Sequence, residues 1–194
     1  MKRTFLALAV ILSGMVFANG EGEAVVTSDS KVIWKGEKVT GEHWGYVNVN
    51  TAYVDIKDNM LVGGTFSIDM NSITCEDMEQ DNPYNAKLVG HLKSDDFFGV
   101  EQYPTSSFEI TKVVPVDGDK YRITGKVTIK GKTQMLSFPA TINIKDGMLH
   151  TRATFSIDRS KFDVRYGSET FFGDLQDKAI YDEFEMTLDI HMKI

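Results

Sequence analysis

His43, His91, His150 and His191 are the chain's four histidines, and they come first because an imidazole serves as base, acid or metal ligand. They are widely separated, and none has a His-x-x-x-His or similar partner. His91 could meet Asp95 or Asp96 across a helical turn, but a cap or core hydrogen bond explains it better. Serines are plentiful, yet no Gly-x-Ser-x-Gly elbow presents one as a nucleophile. Asp95-Asp96 reads as a solvated or helix-starting pair, and Asp117-Gly118-Asp119 has the chemistry of a turn rather than of a calcium loop. Cys75 is the only cysteine, so no internal disulfide forms. Its neighbours Glu76, Asp77 and Glu79 disfavour a thiolate, which predicts an unreactive thiol. A glycine-rich phosphate loop and a dinucleotide fingerprint are both missing from the sequence. These residues predict no enzyme, no cofactor and no metal.

The elements around them carry a stronger signal, the alternation of half-buried strands. Tyr121, Ile123, Gly125, Val127 and Ile129 alternate with Arg122, Thr124, Lys126, Thr128 and Lys130. The pattern returns at Leu136 to Ile144, at Leu149 to Ile157 and at Phe184 to Met192. Shorter pieces are Phe66 with Ile68 and Phe108 with Ile110; Lys31–Trp34, Trp44–Val49 and Tyr53–Ile56 are noisier. Asp146-Gly147, Asp117-Gly118-Asp119, Lys130-Gly131-Lys132 and Lys57-Asp58-Asn59 punctuate the runs as hairpin turns, so successive strands are antiparallel. Pro139 lies inside a strand pattern and predicts a bulge or a gap in pairing. One helix is predicted near residues 83–93: Asn82 caps it, Pro83 starts it, and Tyr84, Leu88, Val89 and Leu92 recur at helical spacing. Arg159 to Asp174 reads as a long loop with room for a helical turn. About eight strands with one apolar face each require a sandwich or a closed barrel. Meander hairpins favour the barrel, an all-β antiparallel fold whose interior holds packed side chains or one small ligand.

Lys2 and Arg3, the apolar run Phe5 to Val16 and the small residue Ala18 follow the order of a secretory leader. The expected organisation is a signal peptide over 1–18, a flexible lead-in over 19–29 and one β domain over 30–194. The run is too short for a membrane span. The formal charge is −7, and removal of Lys2 and Arg3 leaves 19 basic against 28 acidic residues, or −9. Such a balance argues against nucleic acid or anionic surfaces as partners. The inward faces supply the candidate ligand-binding bore: Phe66, Ile68, Phe108, Ile110, Ile123, Val127, Leu136, Phe138, Ile142, Phe155, Ile157, Phe184, Met186 and Leu188. Arg152, Arg159 and Arg165 are candidate contacts for a charged head group. A strand of about nine residues rises roughly 30 Å, a bore length that would shield several isoprene units.

One segment resembles a known family. His91-Leu92-Lys93-Ser94-Asp95-Asp96-Phe97-Phe98-Gly99-Val100-Glu101-Gln102-Tyr103-Pro104, followed by Phe108, is similar to the signature of the YceI-like polyisoprenoid-binding proteins. The pieces Ser30–Gly36, His43-Trp44-Gly45, Tyr121–Thr133, Arg159–Ser168 and Asp177–Phe184 resemble further parts of that family. The resemblance implies an extended lipocalin-like barrel in the bacterial periplasm with an isoprenoid or other long-chain apolar lipid in its bore. It implies no catalytic residues. His91 and Asp96 would tie the helix to the barrel, and Phe97 and Phe98 would plug one end. Trp44 departs from the family pattern, in which smaller residues are usual, and is expected to narrow an opening. Alternatives are an envelope stress or structural protein with a self-filled barrel, and an enzyme acting on a lipid held in the bore.

Overall fold

The computed structural model describes residues 22–194. The expected leader lies outside that range. Ten strands form one antiparallel sheet: β1 (Gly22–Val26), β2 (Lys31–Lys38), β3 (Gly41–Tyr46), β4 (Asn48–Lys57), β5 (Met60–Asp69), β6 (Thr105–Asp117), β7 (Lys120–Ile129), β8 (Lys132–Lys145), β9 (Met148–Asp158) and β10 (Ile180–Lys193). β4 through β10 pair in sequence order, and β1 joins β4 to β10, which closes an eight-stranded barrel. β2 and β3 continue the line of β1 and β4, because Val25 and Val26 pair with Lys193 and Met192, while Lys31 onward pairs with Asp189 backward. Residues 27–30 bulge out between the two. Closure removes the free edges that β4 and β10 would otherwise present, while the outer edge of β3 is met by the chain after β5, where the Thr74 and Glu76 N–H groups donate to the carbonyls of Tyr46 and Trp44.

The turns form where the sequence places them. Asp58-Asn59, Lys130-Gly131 and Asp146-Gly147 each have two successive positive φ angles. That is the backbone of the tight turns whose twist matches antiparallel strands. Pro139 creates a gap on one side only. Pairing with β7 runs through Arg122 opposite Pro139, but pairing with β9 stops at Ala140 opposite Ala153. The 3-10 turn Arg159–Phe162 packs beside the unpaired half of β8, where Gln134 donates to the Lys161 carbonyl at 3.3 Å.

The expected flexible lead-in is corrected over part of its length, since Gly22–Val26 is a strand. Five residues are too few to show a period, and this strand is specified by its partners, Ala24 opposite Ala52 and Val25 opposite Lys193. The family-like segment crosses one end of the barrel, called here the helical end. α1 spans Pro83–Lys93, with the Asn82 side chain accepting from the Tyr84 N–H. Leu92 is buried and Leu88 packs on the core, but Tyr84 is 70 % exposed and does not join the apolar face. Asn85 does instead, donating to the carbonyls of Cys75 and Met78 at 3.0 Å each. The Arg159–Asp174 stretch holds the 3-10 turn and a short helix, α2 (Glu169–Phe172), as the loop reading allows.

Candidate functional site

Alternation along eight closed strands sends one side chain in two to the barrel axis. There they enclose a cavity of about 240 Å³. All the predicted bore residues line it except Ile142, which is buried toward the opposite, hairpin end, where the core is closed around the fully buried Leu149. Phe108, Phe138 and Phe155 form one aromatic group on its wall: Phe138 stacks on Phe155 at 4.1 Å between centroids and lies 5.6 Å from Phe108. Gly125 makes room for this group, because a Cβ there would stand 2.6 Å from the Phe108 ring.

The helical end is stoppered. Phe97 and Phe98 both line the cavity, and Phe98 meets Phe184 edge-on. Lys130, in the β7–β8 turn, donates to the carbonyls of Asp95 and Phe97 at 2.8 Å each and anchors that plug to the barrel. His91 packs against Phe97 and Tyr166, with its Nε2 3.5 Å from Asp96 Oδ2. Strand periodicity missed the cavity residues Leu92, Phe97 and Phe98, because they reach it from outside the sheet; the family-like motif pointed to them. It also missed Trp34, whose indole N–H donates to the Thr74 carbonyl at 3.0 Å while its ring lines the cavity. Trp44 does not line the cavity; it packs edge-on to Tyr46. The expectation that Trp44 narrows an opening of the bore is thereby corrected: the tryptophan that reaches the cavity is Trp34, on the neighbouring strand.

The three arginines do not converge on the cavity. Arg152 is exposed on the outer face of β9, 3.3 Å from Asp189. Arg165 pairs with Asp163 and stacks over Phe171. Arg159 lines the cavity, but four of its five donors are taken. It bonds the carbonyls of Tyr181, Val164, Tyr166 and Ile180 at 2.8 to 3.1 Å and faces Asp182 Oδ1 at 3.4 Å. Four of the five N–H groups are thus engaged by main-chain carbonyls, and the fifth has the buried, otherwise unpartnered Asp182 Oδ1 beside it rather than open cavity. The other polar residues of the lining are Ser106 and Thr151, both buried, and Ser107 and Tyr181, both on exposed positions of their strands; the lining contains no His, Cys, Asp or Glu among the described residues.

Two clusters elsewhere unite residues that are far apart in sequence. Asp77 accepts from the Trp44 N–H at 2.9 Å, the Cys75 thiol at 3.2 Å and His43 Nδ1 at 2.7 Å. Burial raises its pKa, yet the bonds from Trp44, His43 and Cys75 outweigh burial and hold the carboxyl below the usual range. Cys75 is fully buried, and burial, then the Asp77 carboxylate, push its thiol up to about 11. The thiol is protonated at neutral pH, in line with the inert cysteine read from its neighbours. On the outer face of the barrel, His150 and His191 are direct cross-strand partners beside Asp189. Spacing along the chain hid that pairing.

A closed eight-stranded antiparallel barrel around one apolar cavity defines a lipocalin-like protein. The chain belongs to the YceI-like domain family, which matches residues 24–192. Among solved structures, it resembles Burkholderia cenocepacia BcnA at 22% identity and a TM-score of 0.67, over 84% of this chain and 95% of that one. A polyisoprenoid binding domain from Saccharophagus degradans, implicated in plant cell wall breakdown, aligns at 12% identity and a TM-score of 0.62, over 90% and 99%. The Campylobacter jejuni YCEI protein aligns at 22% and 0.57, over 75% and 82%. At these identities the likeness is one of fold. No curated protein matches the chain significantly.

Proposed function

We propose that this protein is a periplasmic carrier or reservoir that holds an isoprenoid-type chain in its barrel, and that it acts by binding rather than by catalysis. The carrying observation is the cavity itself: about 240 Å³, walled almost wholly by aliphatic and aromatic side chains. Each methylene transferred from water to such a wall contributes about 0.8 kcal/mol, so a branched hydrocarbon chain binds without polar contacts. The binding activity named for the Saccharophagus degradans domain supports this ligand class. The leader-like order of residues 1–18 supports export.

Size refines the reading. A cavity of roughly 150 Å³ holds one benzene ring, so 240 Å³ takes about two isoprene units. That is less than the length of the strands suggests, because the phenylalanines fill part of the bore. A longer chain must displace Phe97 and Phe98. The stacked phenylalanines also favour a second reading, a barrel filled by its own side chains.

Titration with geraniol and geranyl diphosphate separates the readings. The neutral alcohol is expected to bind saturably and at least as tightly as the diphosphate, because no free cation lines the cavity among the described residues. Absence of geraniol binding contradicts the lipid reading. A diphosphate preference of tenfold or more contradicts the neutral wall.

A further inference from the structure

We propose that His150, His191 and Asp189 form a binding site for a divalent transition-metal ion on the outer face of the barrel. The sheet builds this site. Asp189 and His191 are two apart on β10 and therefore share one face. His150 on β9 lies directly opposite His191. All three side chains point away from the bore and are partly exposed.

Their donor atoms converge on a small triangle. His150 Nε2 is 2.6 Å and His191 Nε2 is 3.3 Å from the same Asp189 oxygen. The three potential ligand atoms all lie within 4.8 Å of one another. Donors at about 2.0–2.1 Å from one tetrahedral ion stand roughly 3.3 Å apart, so the triangle needs only a small adjustment. The imidazoles now stack at 3.9 Å between centroids and 18° between planes. Metal entry turns each ring about its Cβ–Cγ bond until both Nε2 lone pairs meet at one point. Two imidazoles and a carboxylate suit zinc, nickel or copper rather than magnesium or calcium, and leave a position open to solvent or substrate.

The surroundings preorganise the cluster. The backbone of His191 is clamped by the bulge between β1 and β2: the Thr27 N–H and the Ser30 hydroxyl donate to its carbonyl, and its own N–H donates to Ser30 Oγ. Asp29, in the same bulge, places Oδ2 3.8 Å from His191 Nδ1. That distance is too long for a hydrogen bond, and a small movement of the exposed Asp29 would be needed for it to orient the ring as a carboxylate behind a ligating imidazole does. One group opposes the ion. Arg152 donates to the same Asp189 oxygen at 3.3 Å and must swing away. Lys31, directly opposite Asp189 on β2, is a second cation on that face, with its ammonium 6.0 Å from the centre of the Tyr46 ring. The other His-containing cluster is less suited, since its cysteine is fully buried and its carboxylate is already engaged by the Trp44 N–H.

The test is calorimetric titration of untagged protein with zinc chloride, repeated with nickel, alongside histidine ring-proton spectra. Wild type is expected to bind one zinc per chain, with the His150 and His191 signals shifting and those of His43 and His91 unmoved. The double variant His150→Ala, His191→Ala should weaken binding by about 100-fold or more, at least what loss of an outer-shell partner costs at metal sites. Arg152→Ala should tighten it, an effect that a purely hydrogen-bonded cluster does not produce. His43→Ala should leave it unchanged. Asp189→Asn, which keeps size and shape, covers the case in which the double variant unfolds, and should also lose binding. Failure of wild type to saturate with zinc, or zinc binding that survives in Asp189→Asn, overturns the site. Zinc binding that vanishes in His43→Ala assigns the metal to the other cluster and overturns it equally.

Discussion

Arg159→Met is expected to lower the stability of this protein by about 3–5 kcal/mol, the usual cost of breaking a buried ion pair from one side. The guanidinium is 4 % exposed and holds the loop after β9 to the first residues of β10. It does so through the carbonyls of Val164 and Tyr166 on one side and Ile180 and Tyr181 on the other. Burial pushes its pKa down, and the nearby Asp182 and Asp158 act in the opposite direction. Methionine fills similar volume but donates nothing, so the carbonyls and Asp182 lose their partner together. Urea unfolding measures the loss. A change under about 1 kcal/mol would show that other donors or water take over, and that Arg159 is spare enough to serve a head group after all.

Leu188→Trp is expected to weaken binding of a prenyl chain by roughly 60-fold while the barrel stays folded. Leu188 lines the cavity from β10 and is only partly buried, opposite the small Ala153 on β9. An indole there takes up space that about three methylenes of ligand would occupy. At 0.8 kcal/mol each this is about 2.4 kcal/mol, which converts to the stated factor. Titration with geraniol gives the affinity, and thermal unfolding reports on the fold. Unchanged affinity in a folded Leu188→Trp protein means that the ligand lies elsewhere.

Strands, turns and helix were legible because each rests on a local rule. Asp146-Gly147 forms its turn by its own φ angles, and Asn82-Pro83 starts α1 by its own cap. The bore was legible for the same reason, since inward positions follow from period two once the strands are placed. What escaped depends on register between distant segments. His150 meets His191 only because β9 and β10 pair in one particular alignment. Arg159 looked available because its acceptors are main-chain carbonyls, which every sequence contains and none displays. Gly22–Val26 was hidden because its partners Ala52 and Lys193 lie in remote parts of the chain. The size of the cavity was hidden too: alternation shows that Phe108, Phe138 and Phe155 face inward, but not that they stack and divide the space.

If the protein works as proposed, its bore holds an isoprenoid chain in the cell. Mass spectrometry of lipid extracted from protein purified from a bacterial periplasm tests it most directly. One class of prenyl-chain lipid is expected, near one molecule per chain, and is lost in Leu188→Trp. Protein that carries no lipid, and stays unloaded after incubation with quinones and polyprenyl lipids, would contradict it and leave a barrel filled by its own side chains.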